Sequence, residues 1–318
     1  MRPLDRLLAE GKFFSGSEVA SQMGVSRAAV SKQIARLRGK GYLIESVRGK
    51  GYLLVPRFDG LLPLEVLAKL RTRVLGRNPI LLDAVDSTQN FLRGLAEQGA
   101  AEGTVVVALE QRSGKGRASR RWSSPPGGLW FSLLLRPSLP MHQVSLLTLM
   151  FGVAVARTLM LHGIPASLKW PNDVLVRGKK ICGILLEASS DPENVEYVIA
   201  GIGLNVNFST ADLPDGVRES AVSTLDVLGR RLDRAELLST ILMHAEAMYE
   251  GLPSSIGRIL EDWRIFSCTL GMPVTISSYG RTIEGRAFDI AQDGALLVET
   301  EGGIEKVYSG DVNIKNVH

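Results

Sequence analysis

The residues best able to do chemistry form a short basic segment in the 318-residue chain. Between Arg112 and Arg121 the sequence has five basic residues, two glycines and no acidic residue. Glycines allow a backbone to approach a ligand closely, and N–H and guanidinium groups bind phosphate or carboxylate. We therefore predict an anion-binding loop, which Trp122 follows directly. A solvated basic loop without a ligand is the alternative.

A second polar group is the sequence Lys-Trp-Pro-Asn-Asp at 169–173. Pro171 favours a turn between two strands, so Asn172 and Asp173 are predicted at a strand end. An adjacent Asn and Asp can hold Mg²⁺ and orient phosphate oxygens. A turn alone also favours these two residue types, so both interpretations stay open at this point.

Two further polar residues adjoin apolar strands. Lys180 precedes a run of apolar residues and is a candidate partner for an anion, and Asn205 ends the sequence Gly-Ile-Gly-Leu-Asn. The generic nucleotide-binding motifs do not apply, because GxxxxGK[ST] is absent and the third glycine of GxGxxG is missing.

Metal and disulfide chemistry have little support in the sequence. Cys182 and Cys268 are the only cysteines and form no CxxC pair, and the four histidines show no ligand spacing. These patterns argue against a disulfide framework and a zinc site. The apolar stretch from Leu146 to Leu161 is interrupted by Arg157 and is shorter than a membrane span, and no signal-peptide pattern is present. We expect a cytoplasmic protein with no membrane partner and no tightly bound metal.

The central region alternates between strand and helix patterns, which predicts an α+β fold with a mixed sheet and helices on one face. Strands are predicted at 80–85, 104–109, 129–135, 167–170, 173–176, 180–188 and 197–205. Helices are predicted at 87–97, 141–162, 231–249 and 257–263. The basic segment would then connect the second and third strands.

The head of the chain is more basic than the rest. Residues 1–58 hold 11 Lys and Arg against four Asp and Glu, a net charge of +7, whereas the whole chain has +4. Ser15 can cap a helix that ends near Met23, and Ser26 can cap a second helix with one apolar stripe. Two helices joined by a short turn are the helix-turn-helix pattern. We predict that its outer face binds DNA through Ser26, Arg27, Ser31 and Lys32.

Two strands at 42–47 and 51–55 can form a basic wing, with Lys50 on phosphate. A winged helix used for protein contacts is the alternative to DNA binding. After a linker at 56–63, short strands near the end of the chain predict a small β-barrel. The predicted domains are a winged helix-turn-helix domain at 1–58, a catalytic domain at 64–268 and a C-terminal domain at 270–318.

The combined pattern resembles the biotin protein ligases, and the basic head resembles the subgroup that is also a biotin operon repressor. The resemblance covers nearly the whole chain and follows the family's order of motifs. The residues that carry it are Asp-Ser-Thr-Gln at 86–89, Gln111 with Gly-Lys-Gly-Arg-Ala-Ser-Arg-Arg-Trp at 114–122, Lys-Trp-Pro-Asn-Asp at 169–173, Gly-Lys-Lys-Ile-Cys-Gly-Ile-Leu-Leu-Glu at 178–187, and Gly-Ile-Gly-Leu-Asn-Val-Asn at 201–207.

The resemblance implies a class II synthetase-like ligase domain and an SH3-like C-terminal barrel. It implies that biotin and ATP, with Mg²⁺, form biotinyl-5′-adenylate. Biotin would then pass to a lysine of the biotin carboxyl carrier protein of acetyl-CoA carboxylase. It also implies that the adenylate-bound protein is a homodimer that binds operator DNA and represses biotin synthesis genes.

The resemblance also assigns roles to the matching residues. Lys180 and Arg117 would be catalytic, and Asp173 would ligate Mg²⁺. Biotin would be bound by Ser87, Thr88, Gln89, Gln111, Lys115, Gly116, Arg117, Lys180 and Gly183. ATP and the adenylate would be bound by Arg117, Arg120, Trp122, Asn172, Asp173 and Asn205.

The basic loop departs from the family's usual Gly-Arg-Gly-Arg-Arg-Gly pattern. Lys115, Ala118 and Ser119 stand where Arg, Arg and Gly are common. Lys115 keeps the positive charge but lacks the bidentate fork of arginine, and the missing third glycine predicts a stiffer loop. In addition, the segment 208–225 contains no tryptophan that could stack on adenine.

Two other function classes remain open in the sequence. One is a DNA-binding regulator whose ligase domain senses a ligand but is inactive, which the intact sequence at 169–173 and Lys180 disfavour. The other is lipoate attachment, which uses a related catalytic fold. The winged helix and the basic loop disfavour it.

Overall fold

The computed structural model describes residues 3–190, 194–278 and 280–314. Within these residues the chain forms sheets of two, seven and five strands, together with ten α-helices. The sheets lie in the N-terminal, central and C-terminal regions, and buried apolar side chains from all three regions form one continuous cluster. The last residues of the predicted C-terminal domain, 315–318, lie outside the described residues.

The N-terminal region is a winged helix-turn-helix. Its elements are α1 (Pro3–Ala9), α2 (Gly16–Met23), α3 (Arg27–Gly39), β1 (Ile44–Val47) and β2 (Gly51–Leu54). Both predicted caps are present, because Ser15 Oγ accepts from the N–H of Glu18 at 3.0 Å and Ser26 Oγ from that of Ala29 at 3.1 Å. The apolar stripe of α3 is buried against the other helices. Helix α1 was not predicted from the sequence.

The central region contains the seven-stranded sheet. Its elements are α4 (Pro63–Lys69), β3 (Asn78–Val85), α5 (Thr88–Glu97), β4 (Thr104–Gln111), β5 (Leu129–Leu135), α6 (Leu146–Leu161), β6 (Ala166–Lys169), β7 (Asp173–Val176), β8 (Lys179–Ser190), β9 (Val195–Leu204), α7 (Asp215–Arg218), α8 (Thr224–Leu228), α9 (Arg234–Tyr249) and α10 (Ile256–Phe266). The strand order is β3-β4-β5-β9-β8-β7-β6, and only the β3–β4 pair is parallel within the described residues. The predicted mixed sheet is therefore confirmed.

Helices cover both faces of this sheet, so the prediction of helices on one face is wrong. Val106 of β4 packs with Leu92 and Ala96 of α5. Val105 and Val107 face the opposite side and join the large core that contains α6 and α9. Strands that are covered on both faces have unbroken apolar sequences, and β5 is buried at every position.

The C-terminal region is an antiparallel sheet of five strands. They are β10 (Pro273–Ser278), β11 (Arg281–Ile290), β12 (Leu296–Thr300), β13 (Gly303–Val307) and β14 (Asp311–Ile314). The strand order is β13-β12-β11-β10-β14, and in the described residues the two end strands do not pair with each other. The predicted closed barrel is therefore not confirmed. Trp170 joins this sheet to the central region, because its Nε1 donates to the carbonyl oxygen of Gly294 at 3.1 Å.

One segment of the described chain, Met141–Leu161, is long and apolar enough to cross a membrane. However, 72% of its most apolar window is buried inside the protein. The side chains of Leu147, Met150 and Phe151 are fully covered by neighbouring residues. These are the features of a core helix, as the sequence predicted for this stretch.

Candidate functional site

The predicted ligand-binding residues converge on one cavity of about 430 Å³, walled by the central sheet, the basic loop and the start of β14. The predicted residues that line it are Thr88, Gln89, Gln111, Lys115, Gly116, Arg117, Arg120, Trp122, Asn172, Asp173, Lys180, Gly183 and Asn205. Ser87 is placed differently. It caps α5, where its Oγ accepts from the N–H of Asn90 at 3.5 Å.

One end of the cavity is made of buried, uncharged polar side chains. The N–H and Oγ1 of Thr88 both donate to Gln111 Oε1, at 2.9 and 3.1 Å. Thr88 Oγ1 also lies 2.8 Å from Ser132 Oγ, and Gln89, only 4% exposed, lies in the same wall. Amide and hydroxyl groups can both donate and accept hydrogen bonds. This end therefore suits a ligand group that is polar but neutral.

Trp122 forms the adjoining wall and lies against two glycines. A Cβ atom at Gly203 would lie 2.5 Å from Trp122 Nε1, and one at Gly183 would lie 3.0 Å from its ring. Lys180 Nζ lies 5.1 Å from the ring centroid. Nε1 is buried and has no hydrogen-bond partner among the described residues, a state that costs about 1–3 kcal/mol. The ring thus presents an apolar face at the cavity, while its unpaired Nε1 is buried against Gly203.

An ion pair occupies the middle of the cavity. Lys180 Nζ lies 2.6 Å from Asp173 Oδ1, because β7 and β8 are neighbours in the sheet. Asn172 is fixed beside the pair, since its Nδ2 donates to the carbonyl oxygen of Ile184 at 2.8 Å. The strand ends therefore bring together one cation, one carboxylate and one amide oxygen.

The basic loop closes the cavity and is held by the C-terminal region. Arg117 donates to Ser309 Oγ at 2.7 Å, to the carbonyl oxygen of Gly310 at 3.2 Å and to Asn172 Oδ1 at 3.3 Å. Arg120 forms an ion pair with Asp311 at 2.6 Å. The sequence did not reveal the three residues 309–311, because only tertiary structure brings them near a loop about 190 positions earlier.

The loop adopts a left-handed backbone at two non-glycine positions. Ala118 has φ of 50° and Ser119 has φ of 59°. Residues other than glycine rarely adopt this backbone conformation. Ser119 stands where the family pattern has its third glycine, so the structure gives a physical reason for that glycine.

The segment 208–225, which contains no tryptophan, contributes an apolar wall to the cavity. Leu213, Val217 and Ala221 line the cavity, and Leu213 and Ala221 belong to a small cluster against which Trp122 packs. Asn205 supports this wall, because its Nδ2 donates to the carbonyl oxygen of Val222 at 3.0 Å. Sequence reasoning missed these three residues, which carry no polar signal.

Cys182 lies beneath the cavity and takes no direct part in its wall. It is fully buried, and burial raises the pKa of its thiol well above the usual range. The thiolate is the nucleophilic form of cysteine, so Cys182 is a structural residue.

The predicted DNA-binding residues are all exposed in the head. Ser26 caps the start of α3, and Arg27, Ser31 and Lys32 are exposed on its first turns. Lys50 is exposed between β1 and β2, with its Nζ 5.8 Å from the centroid of a neighbouring phenylalanine ring. An exposed helix start and an exposed basic wing suit a DNA groove and its flanking phosphates.

Three segments of the chain match known domain families. Residues 81–205 match the Biotin/lipoate A/B protein ligase family, residues 4–53 match the HTH domain, and residues 269–314 match the Biotin protein ligase C terminal domain. The chain is also 39% identical over 309 residues to the bifunctional ligase/repressor BirA of Bacillus subtilis (strain 168), with 96% of this chain and 95% of that protein covered. This chain belongs to the biotin protein ligases.

More distant members of the family agree with this placement. The bifunctional ligase/repressor BirA of Escherichia coli (strain K12) is 29% identical over 313 residues, covering 98% of this chain and 95% of that protein. The biotin protein ligase of Aquifex aeolicus, solved in complex with biotin and ATP, is 32% identical with a TM-score of 0.64. The match covers 76% of this chain and 100% of the Aquifex aeolicus chain.

Proposed function

We propose that the protein is an ATP-dependent biotin protein ligase that also represses transcription in response to biotin. One observation carries the proposal: a neutral polar end, an apolar wall and a cationic loop meet around Lys180 and Asp173 in one cavity. The same chain carries a helix-turn-helix with an exposed basic face. These parts suit the neutral, apolar and anionic portions of biotin and ATP.

The first reaction joins the two substrates. A biotin carboxylate oxygen attacks the α-phosphorus of ATP, a new P–O bond forms, and pyrophosphate leaves. Lys180 and Arg117 would neutralise the charge that develops on the carboxylate and phosphate oxygens. To do so, Lys180 must exchange Asp173 for a ligand anion, and Arg117 must exchange its contacts with the C-terminal region.

The second reaction transfers biotin to a carrier protein. The ε-amine of a carrier lysine attacks the acyl carbon of the adenylate, an amide forms, and AMP leaves. The chain would contribute position and electrostatic stabilisation without a covalent nucleophile. The acceptor we propose is the biotin carboxyl carrier protein of acetyl-CoA carboxylase.

We place the ureido ring of biotin at the neutral end of the cavity. Thr88, Gln89 and Gln111 would face it directly, while Ser87 would act by capping α5 behind them. Gly183, against which the Trp122 ring lies, would adjoin the valeryl chain. Lys115, Gly116, Arg117 and Lys180 would then surround the carboxylate.

ATP would occupy the side of Trp122 and the apolar wall. Arg117, Arg120, Asn172 and Asn205 would contact the adenylate, with Trp122 against the adenine. Magnesium commonly uses one or two carboxylates together with substrate phosphates, and Asp173 is a carboxylate in the right wall. Asp173 would therefore hold Mg²⁺ that arrives with ATP, and the ion would help to neutralise the phosphates.

The finer architecture and the regulatory role follow the same proposal. Residues 64–268 would be a class II synthetase-like domain, residues 270–318 an SH3-like domain, and residues 1–58 the operator-binding domain. Ser26, Arg27, Ser31, Lys32 and Lys50 would contact operator DNA. The adenylate-bound protein would act in the cytoplasm as a homodimer, since paired half-sites require paired recognition helices.

Radiolabelled biotin transfer to a carrier domain tests the ligase function. We expect transfer of the labelled biotin to require ATP. Unlabelled biotin should compete with it, and lipoate should not. A gel shift on the same preparation should show operator binding that biotin and ATP strengthen. Absence of transfer would contradict the ligase proposal, and DNA binding without transfer would favour a regulator with an inactive ligase domain.

A further inference from the structure

We propose that Asp59 is a positioning residue of the ligase, supplied by the segment that connects the DNA-binding head to the catalytic region. Asp59 follows β2 and precedes α4, so it lies outside all three matched segments. Its contacts lead to the adenylate side of the cavity by two routes. The inference rests on the proposed function, because that function identifies the ligand of the cavity.

The carboxylate of Asp59 is buried and fully engaged. Its side chain is 8% exposed. Oδ1 accepts from the N–H and the Nε of Arg234, at 3.1 and 2.6 Å. Oδ2 accepts from Arg231 at 3.0 Å and from Asn207 Nδ2 at 3.2 Å. Four donors from two distant segments therefore converge on one linker residue.

The backbone of Asp59 adopts an unfavourable conformation. Its φ of 59° lies in the left-handed region, which persists for non-glycine residues only when the surroundings enforce it. A glycine would satisfy the turn more easily. The bonds of the carboxylate therefore give the physical reason for an aspartate at this position.

The first route runs through Arg234. Its side chain is 10% exposed, and its Nη1 donates to the carbonyl oxygen of Gly128 at 3.1 Å. Gly128 precedes β5 and lies against the ring of Trp130, where an added Cβ would lie 1.9 Å from a ring atom. Trp130 in turn stands edge-on to Trp122, with ring centroids 6.4 Å apart. Removal of Asp59 would leave Arg234 as a buried cation without its carboxylate, which is strongly destabilising.

The second route runs through Asn207. Its N–H donates to the carbonyl oxygen of Gly127 at 2.9 Å, and its Oδ1 accepts from the N–H of Leu232 at 2.9 Å. Asn205, two residues earlier, lines the cavity, and the apolar wall follows in the chain. Asp59 thus binds Asn207 and Arg234 at the point where two walls of the adenylate site begin. We call this point the corner.

These contacts predict a reciprocal coupling. A ligand that orders Trp122 and the apolar wall would stabilise the corner that holds Asp59, and with it the attachment of the head. By linkage, the placement of the head would change the affinity for the adenylate by the same factor. The coupling would operate within one chain, in addition to any effect of assembly.

The test uses the full-length protein with Asp59→Gly and Asp59→Asn. Glycine keeps the left-handed backbone and removes the carboxylate, whereas asparagine tolerates the backbone and keeps one acceptor oxygen. For Asp59→Gly we expect adenylate dissociation to be about tenfold faster, within the usual range of coupling. The KM for ATP should rise, while kcat for transfer from saturating preformed adenylate changes less than about twofold. Asp59→Asn should lie between this variant and the wild type.

Arg57→Ala is the matched control. Arg57 lies in the same segment, and its guanidinium is paired with Glu65 at 2.7 Å rather than with the corner. We expect its adenylate dissociation rate to stay close to that of the wild type. An equal acceleration in Arg57→Ala would overturn the proposal, because general loosening of the linker would explain it.

A wild-type dissociation rate in folded Asp59→Gly would also overturn the proposal. If that variant does not fold, the same comparison is made with Asp59→Asn, and a wild-type rate there is equally decisive. Biotin and ATP should also strengthen operator binding less in the Asp59 variants. Failure of the wild-type protein to form the adenylate would instead refute the proposed function, so the two failures are distinguishable.

Discussion

The protein has two concentrations of positive charge, and they differ in whether their side chains are already paired with other residues. In the head, Arg27, Lys32 and Lys50 are exposed, and none has a hydrogen-bonded or ion-paired partner in the described part of the chain. In the cavity loop, Arg117 is bound by residues just before β14, and Arg120 by Asp311 at its start. The first group is uncommitted, whereas the second is already paired.

This difference predicts two kinds of binding. Uncommitted cations bind phosphates by releasing counterions, so their effects are roughly additive and depend on salt. Paired cations must exchange one partner for another, so their effects depend on geometry and on the bonds that are lost. Substitutions in the cavity should therefore have large and specific effects on activity. Substitutions in the head should have smaller effects on DNA binding, and these should add up.

The largest expected effect is that of Lys180→Ala. Removal of a preorganised group that stabilises developing charge typically lowers kcat by about 100- to 1,000-fold, and the change also leaves Asp173 without its cation. Biotin-dependent release of pyrophosphate measures the loss. Lys179→Ala is the control, because Lys179 is exposed and adjacent in sequence. Near-normal pyrophosphate release in Lys180→Ala would contradict the catalytic role.

Arg117→Gly should mainly affect retention of the adenylate. Hydrogen bonds to charged groups contribute about 1.5–3 kcal/mol, which corresponds to a dissociation rate about 10- to 100-fold faster. The melting temperature should change less than the dissociation rate, because Arg117 is half-buried and the hydrogen bonds that it loses hold only the loop. Arg112→Gly in the same loop serves as the control, since Arg112 does not line the cavity. An unchanged dissociation rate in Arg117→Gly would refute the prediction.

Sequence alone could predict the parts whose chemistry is local. Asn172, Asp173 and Lys180 were predicted at strand ends, and the sheet does bring them together. Ser309 and Asp311 could not be predicted, because a serine before a short strand and an aspartate at its start carry no signal for a distant arginine. The unbroken apolar sequence of β5 did contain the information that helices cover both faces.

Substitutions in the head should weaken operator binding by a smaller, additive amount. Arg27→Ala and Lys32→Ala should each reduce the slope of log K against log salt by about 1, as expected when one phosphate contact is lost. Gel-shift titrations at several salt concentrations measure the slope. Lys179→Ala, outside the head, should leave it unchanged. Wild-type affinity in both head variants would favour a winged helix used for protein contacts.

The smallest expected effect concerns the backbone of the loop. Ser119 has a left-handed φ of 59°, which asparagine tolerates better than serine does. Ser119→Asn should therefore favour the observed loop by about 0.4 kcal/mol, a fraction of the usual left-handed penalty. Hydrogen exchange at the Gly116 amide, which donates to the carbonyl oxygen of Arg120 at 2.7 Å, should slow about twofold.

Ser113→Asn is the control for this prediction, because Ser113 lies in the same loop and is absent from the left-handed positions. Its exchange rate at Gly116 should equal that of the wild type. Equal slowing in both variants would mean that asparagine acts through its side chain rather than through φ. A slower rate in Ser119→Asn alone would show that the paired state of the loop depends on its backbone, and not on its arginines alone. Arg27 and Lys32, the uncommitted cations that lie on the regular helix α3, have no such dependence.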